Sequence, residues 1–417
     1  MAIIENTLQG LENFISKTYF KYILLITSLL FCSGIEFIDK YKVWSGSKTL
    51  FFIVVPVMLL AVMIKREEFK LDINLIFLFI SLWGLISIVW SIDKFTTLKN
   101  GILLIGTTII AIYIGKNYNK KEIFKILLFW FFVLTLGNLF ACIFKIGNVY
   151  QIDETRYTNV IKGIFKHRNL LGFYMTLSSS ISFWFLLNIK NNKALRRNSI
   201  ITLIGALIMI VWSRSMTSML LTGLVIAALY LGRYKKFSMV LVYGILPALA
   251  FSVYTLVNQP GWFVDFLKAI GRNPTLTGRS FIWEGVLSAI SYKPVLGYGL
   301  TSFWSVNPYS YYFVIPTYGW IPNHAHNGYL DLVLDFGIIG TVAVLALFPI
   351  ILNKFRKLAK TKVFDDYKYV IYSIVYIVFI LIYNLLESPM VRQCSTVYIL
   401  LVIFSNIIDR VSKEQKI

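Results

Sequence analysis

Runs of about 20 apolar residues recur along this chain, each long enough to cross a hydrocarbon core of about 30 Å as a helix. They fall near residues 20–38, 48–64, 72–91, 98–115, 122–144, 169–188, 199–213, 216–232, 237–257, 328–351, 368–386 and 393–409. With 57% hydrophobic residues and a mean hydropathy of +0.70, that much apolar surface exceeds what a soluble core of ordinary shape buries. The expected fold class is an all-α integral membrane protein with about 12 transmembrane helices. Residues 1–17 are polar and the first run lacks a small-residue cleavage site after it, so that run is expected to be a span and not a cleaved leader.

Basic residues orient the spans. Lys65, Arg66 and Lys70, then Lys116, Lys120, Lys121 and Lys125, then Lys190, Lys193, Arg196 and Arg197, then Arg233, Lys235 and Lys236 occupy alternate short connections. Lys354, Arg356, Lys357, Lys360, Lys362 and Lys368 continue the pattern. The positive-inside rule then predicts that both termini are cytoplasmic. The excess of 41 Lys and Arg over 20 Asp and Glu is thereby a feature of topology, and nucleic acid is excluded as a partner. Cys32, Cys142 and Cys394 lie in or beside apolar segments without metal-ligand spacing, which argues for packing and against a disulfide framework or a zinc site. Two connections on the outer side are long, 145–168 and 258–327, and loops of that length are usually functional. The chain divides on this reading into N-terminal helices (1–144), central helices (145–257), an extracytoplasmic loop containing short helices (258–327) and C-terminal helices (328–417).

On that topology Arg168, Arg214, Arg279 and His326 all reach the extracytoplasmic face, where arginines are not the rule, and a shared anionic ligand is the simplest reason. Residues 199–232 would run roughly 51 Å as one helix, too long for the membrane, so the polar stretch from Ser213 to Ser218 is expected to break it, leaving two pieces short for full spans and setting Arg214 in the turn. Arg279 follows Thr277, read as an N-cap, and opens a helical pattern through Ile282, Trp283, Val286, Leu287 and Ile290. An arginine there opposes the helix dipole, whereas an anion bound there is favoured by the dipole, the free N–H groups and the guanidinium together. Lys166, His167 and Arg168 meet a helix start in the same way; interfacial anchoring to lipid is the alternative for Lys166, Arg168 and Arg214.

His324 and His326 stand at the end of the long loop without a third histidine or paired cysteine nearby, so no metal is expected; a base of intermediate strength acting on a hydroxyl fits better. Among the carboxylates of this side, Asp153, Glu154, Asp265, Glu284, Asp331, Asp335 and Glu387, the last ends a span, where a charge needs a partner such as an arginine. Organising that arginine and taking part in catalysis are equal alternatives for Glu387. Trp304, Tyr309, Tyr311, Tyr312 and Trp320 suit either stacking on sugar faces or an interfacial belt.

The sequences Gly163-Ile-Phe-Lys-His-Arg-Asn-Leu-Leu-Gly172, Ser213-Arg-Ser-Met-Thr-Ser218, Thr277-Gly-Arg-Ser-Phe-Ile-Trp283, Gly297-Tyr-Gly299 and His324-Ala-His-Asn-Gly-Tyr-Leu-Asp-Leu332, in this order, resemble the O-antigen ligase and polymerase superfamily over about residues 160–390. The resemblance implies a GT-C-like, metal-independent and cofactor-free glycosyltransferase of the bacterial inner membrane, acting outside the cytoplasm on glycans carried by undecaprenyl diphosphate. It implies that Arg168, Arg214 and Arg279 hold the diphosphate, with Lys166, His324, Asn327 and Trp283 completing the substrate-binding set, and that His326 serves the acceptor hydroxyl beside Arg279 and Glu387. The motif forms look more like a Wzy-type polymerase than a lipid A-core ligase. Implied partners are the lipid-linked oligosaccharide, membrane lipid, a flippase and a chain-length regulator; a flippase or transporter of the same lipid-linked sugars is the alternative of a different class.

Overall fold

The computed structural model describes residues 2–66, 72–153, 158–234, 259–269, 278–305, 308–319, 322–360, 365–388 and 390–415, with isolated positions between 237 and 255. It is almost entirely helical. In chain order the helices are α1 (Ala2–Ser16), α2 (Thr18–Cys32), α3 (Glu36–Lys40), α4 (Lys42–Lys65), α5 (Ile73–Ile86), α6 (Lys94–Asn117), α7 (Lys120–Ile143), α8 (Arg168–Asn188), α9 (Lys193–Ser213) and α10 (Met216–Leu231). They continue with α11 (Gly261–Ala269), α12 (Arg279–Tyr292), α13 (Pro308–Phe313), α14 (Ile315–Tyr318), α15 (Gly328–Lys360), α16 (Tyr367–Tyr383) and α17 (Thr396–Glu414). The long connection 258–327 thus carries short helices, as its sequence suggests.

Eleven of the expected apolar runs coincide with helices; the run 237–257 lies largely outside the described residues. Among the described residues, six helices are long and apolar enough to cross a membrane, or seven if α2 and the end of α1, bent by 75° at residue 17, count as one span. Helices α10 and α16 are shorter. The chain is therefore an all-α, multi-pass membrane protein.

Three details differ from expectation. The first run ends at Cys32, because Ser33 and Gly34, with φ +67°, turn the chain before α3. The segment 199–213 is not short: the Asn192 side chain accepts from the Leu195 N–H, so α9 starts among charged residues read as loop and reaches 21 residues, roughly 31 Å. The segment 145–168 contains an antiparallel hairpin, β1 (Tyr150–Asp153) paired with β2 (Thr158–Ile161) in the register Tyr150 to Ile161.

The chain folds as two compact units, each drawn from segments distant in sequence. The first comprises residues 1–68, 113–238 and 362–376. Its helices approach closely through small residues: a Cβ on Gly172 of α8 would lie 2.2 Å from Ser218 Oγ on α10, and one turn on, Thr176 and Thr222 hydroxyls bond at 2.9 Å. Gly205 of α9 similarly admits Thr135 and Leu139 of α7. Aromatic packing of Phe124, Trp184 and Tyr369 and the bond from Trp184 Nε1 to Lys368 O (2.9 Å) close this unit.

The second unit comprises residues 69–112, 239–361 and 377–417. Buried polar pairs tie its helices: Thr108 Oγ1 to Tyr398 OH (3.0 Å) and Asn406 Nδ2 to Asn74 Oδ1 (2.8 Å). At one end, Lys413 spans Asp409 (2.7 Å) and Asp72 (3.6 Å), and Lys354 also pairs with Asp409. Helix α15 kinks at Gly337 (φ 64°, ψ −174°), where an incoming loop sits so close that a Cβ would lie 2.1 Å from Val295 O. The opened backbone is satisfied by that loop: Tyr298 N donates to Leu334 O (2.7 Å) and Ile338 N to Pro294 O (2.9 Å). The kink thereby fixes the loop 294–303 against the first turns of α15, next to residues 324–327.

Candidate active site

In the second unit one carboxylate gathers three of the expected residues. Glu387 lies in a turn just past α16, and its Oε1 is 3.4 Å from Arg279 Nη2, while Oε2 is 3.3 Å from His324 Nε2 and 3.4 Å from His326 Nδ1. Arg279 also donates through Nη1 to Leu386 O at 2.6 Å. The two imidazoles lie face to face at a tilt, with centroids 4.1 Å apart. The Glu387 side chain is only 15% exposed, so these contacts act in a medium less screening than water.

Local chain geometry explains the placement. Helix α12 begins at Arg279 with Gly278 (φ 84°) at the N-cap position and no side-chain cap, while Thr277, the expected cap, lies outside the described residues. His326 adopts the left-handed region (φ 52°), a conformation that costs a non-glycine residue of order 1–3 kcal/mol and persists where the surroundings impose it. Asn327 Oδ1 accepts from Tyr329 N (3.1 Å) and Leu330 N (3.3 Å), capping α15, so Nδ2 is its group for a ligand. Trp283, expected among the substrate-binding residues, is buried in the core, and its indole N–H donates to Ala325 O at 2.9 Å, which makes it a support for the turn between the histidines.

Electrostatics follow from this grouping. Burial alone would raise the Glu387 pKa, but hydrogen bonds to His324 and His326 and the Arg279 charge outweigh it and hold the carboxylate well below its usual range. Burial pushes His324 below the ordinary imidazole value, helped by the charges of His326 and Arg392 and opposed by Glu387. Arg392, which the sequence reading missed, thus joins the neighbourhood; its only signal in the sequence is a position five residues after Glu387.

His324, His326 and Glu387 present three ligand atoms within 4.8 Å of one another, a two-histidine, one-carboxylate set. The Arg279 guanidinium, 3.4 Å from the other oxygen of the same carboxylate, places a fixed positive charge beside the group, which opposes a divalent cation there. That charge favours reading the group as a hydrogen-bonded cluster.

In the first unit, the N-terminus of α8 and the break between α9 and α10 come together. His167 caps α8, its Nδ1 accepting from Asn169 N (3.2 Å), and Arg168 N donates to Gln151 Oε1 on β1 (2.8 Å). Arg214 forms the expected break in left-handed conformation (φ 52°), and the next residue, Ser215, donates to Asn169 Oδ1 (3.3 Å). Arg168 and Arg214 therefore each neighbour a residue of the same contact. Arg214 and Lys166 are exposed, and Arg168 is half-buried.

Residues 201–345 match the family model described as O-antigen ligase, a stretch that holds Arg214, Arg279, His324, His326 and Asn327. A protein of Rickettsia conorii named as a polysaccharide ligase is 29% identical over 213 residues, covering 49% of this chain and 51% of the relative. The exopolysaccharide production protein ExoQ of Rhizobium meliloti is 24% identical over 282 residues, 63% of this chain and 60% of the relative. A Rickettsia felis protein named as a polysaccharide ligase is 28% identical over 215 residues. The matches span about half to three fifths of the length of these relatives. The chain is thus similar to the O-antigen ligase family over residues 201–345, and its relatives are consistent with the O-antigen ligase and polymerase superfamily that its motifs resemble.

Proposed function

We propose that this protein is a glycosyltransferase that moves a glycan from undecaprenyl diphosphate to the hydroxyl of another lipid-linked repeat unit, on the extracytoplasmic side of the bacterial inner membrane, and so polymerises a polysaccharide. The observation that carries the reading is the shared carboxylate: Glu387 joins a histidine pair to an arginine in a half-buried cluster. With Nδ1 3.4 Å from the Glu387 carboxylate, a proton on His326 is favoured at Nδ1, which leaves the Nε2 lone pair for a proton acceptor's role. The acceptor oxygen attacks the anomeric carbon as His326 Nε2 takes its proton; the bond from that carbon to phosphate breaks, and its electron pair leaves with the diphosphate. Glu387 stabilises the imidazolium that results.

A diphosphate leaving group gains charge as the bond breaks, and fixed guanidinium groups stabilise it without a metal. Arg279 uses one N–H on Leu386 O and one toward Glu387, leaving others of its five for phosphate. The first unit has anion-binding groups of its own in Arg168 and Arg214, at a helix start and a helix break, with Lys166 nearby in sequence. His324, held neutral by burial with its Nε2–H given to Glu387, offers Nδ1 as an acceptor to a sugar hydroxyl, and Asn327 Nδ2 supplies a donor to a sugar oxygen.

Transfer to lipid A-core is the second reading, favoured by the description of the family model and by the names of two relatives. The relative matched over 282 residues is named for exopolysaccharide production, which is compatible with polymerisation. Purified protein given its undecaprenyl-diphosphate-linked repeat unit as sole substrate should produce a ladder of chain lengths, in EDTA as well, and His326→Ala should produce none. Transfer only when lipid A-core is added would establish the ligase instead; labelled lipid crossing a bilayer with no change in chain length would sink both.

A further inference from the structure

We propose that Asp331 is a positioning residue for the histidine pair, holding the turn from His324 to His326 in its left-handed form. The proposal rests on the reading of His326 as the proton acceptor. Asp331 sits in the first turn of α15, 6% exposed, and both its carboxylate oxygens lie 3.2 Å from the N–H of Ala325, the residue between the two histidines. Oδ1 also accepts from Trp304 Nε1 at 2.6 Å, which sets the plane of the carboxylate. On its other side Ala325 gives its carbonyl to Trp283 Nε1 at 2.9 Å. The backbone of one residue is therefore held at both its N–H and its C=O, from two helices and a loop, which fixes the two peptide units on either side of its Cα, and Ala325 is fully buried between them.

The consequence is directional. His326 follows immediately with φ 52°, and in that conformation its Nδ1 lies 3.4 Å from Glu387 Oε2. A buried carboxylate held by N–H groups, without an ion-pair partner among the described residues, is a poor way to gain stability and a good way to fix a backbone. The same device recurs one turn along: Asp335 Oδ1 accepts from Thr301 N at 2.9 Å, and Thr301 is likewise left-handed, at φ 56°. Two carboxylates spaced i, i+4 on one face of α15 thus pin two strained turns, and the first of these bears the histidines.

Asp331→Ala, Asp331→Asn and Trp304→Phe should be compared with His326→Ala for chain extension per folded molecule, folding being checked by gel filtration and thermal unfolding. A misplacement of about 1 Å costs roughly 100-fold in rate, so Asp331→Ala should lose about that in kcat while KM for the lipid-linked substrate stays within about twofold. Asp331→Asn keeps an acceptor oxygen and should recover at least about tenfold of the loss. Trp304→Phe, which keeps an aromatic ring but removes the N–H and part of the packing, should lose several-fold, and it serves if Asp331→Ala does not fold. Wild-type kcat in well-folded Asp331→Ala and Trp304→Phe, with His326→Ala inactive, overturns the positioning role and leaves the proposed function standing. Full activity of His326→Ala overturns the proposed function itself.

Discussion

Replacing Glu387 by Gln tests the shared carboxylate most sharply, because the amide keeps the shape while it removes the charge and turns one acceptor into a donor. In the native protein one anion faces Arg279 at 3.4 Å and the two imidazoles at 3.3 and 3.4 Å, with the Arg279 and Glu387 side chains 17% and 15% exposed. The amide oxygen can still accept from Arg279, but the Nε2 amide is a donor and meets the His324 and His326 nitrogens that the carboxylate accepted from. Charge-assisted hydrogen bonds contribute about 1.5–3 kcal/mol each, and removing one partner of a buried ion pair costs about 3–5 kcal/mol, so the isosteric change should cost about 2–3 kcal/mol of stability. Catalysis should suffer more. Without an anion to hold the His326 tautomer and stabilise its imidazolium, most of the general-base contribution, about 100-fold or more, is lost, equivalent to at least about 2.7 kcal/mol in the barrier. Initial rates of ladder formation, with thermal unfolding of the same detergent-solubilised samples, measure both. A Glu387→Gln protein that extends chains within threefold of wild type, at an unchanged melting temperature, would refute this account of the cluster.

The pH dependence of stability has a defined sign. His324 has a folded pKa below its ordinary 6.5, so the unfolded chain binds its proton first; the contribution of neutral His324 is complete above about pH 6.5 and declines as pH falls. Glu387, held below 4.5, contributes above that value and loses its contribution on further acidification. The melting temperature should fall from pH 7 to 5, and less so in His324→Gln; a rise would contradict the burial argument. Gly337→Ala should destabilise the second unit by about 3 kcal/mol or more, since its Cβ would lie 2.1 Å from Val295 O at a positive φ, whereas Gly137→Ala, with nothing within 4 Å in α7, should be neutral or stabilising by up to about 1 kcal/mol; a thermal shift assay separates them. Arg214→Cys should raise KM for the lipid-linked donor about tenfold and react with an impermeant thiol reagent only from outside intact spheroplasts, against a low background because Cys32, Cys142 and Cys394 are buried; labelling only from the inside would reverse the topology.

What the sequence revealed and what it hid divide along the range of the interactions involved. Span length and the break at Arg214 were legible because hydrophobic length is a local property, and a run of roughly 51 Å cannot lie straight across a core of about 30 Å. The start of α9 was misplaced because Lys193, Arg196 and Arg197 look like a loop by composition, while a single capping atom on Asn192 decides that they are helical. The hairpin at 150–161 escaped because each strand has four residues, too few for a period of two to stand out. At the site, Glu387 could be flagged from sequence as a charge needing a cationic partner, and Arg279 is that partner, 108 residues away. That the same carboxylate also takes both histidines was not legible, because it depends on where α16 stops and on a left-handed residue that sequence alone does not favour at a histidine. Nor was the role of Asp331: an acid in the first turn of a helix has a local explanation in the dipole, and the local explanation conceals the backbone it holds. Residues with a sufficient local reason are therefore where sequence reading most readily passes over a part of the machinery, and Trp283, whose indole supports the histidine turn, has a structural role that its helical spacing does not reveal.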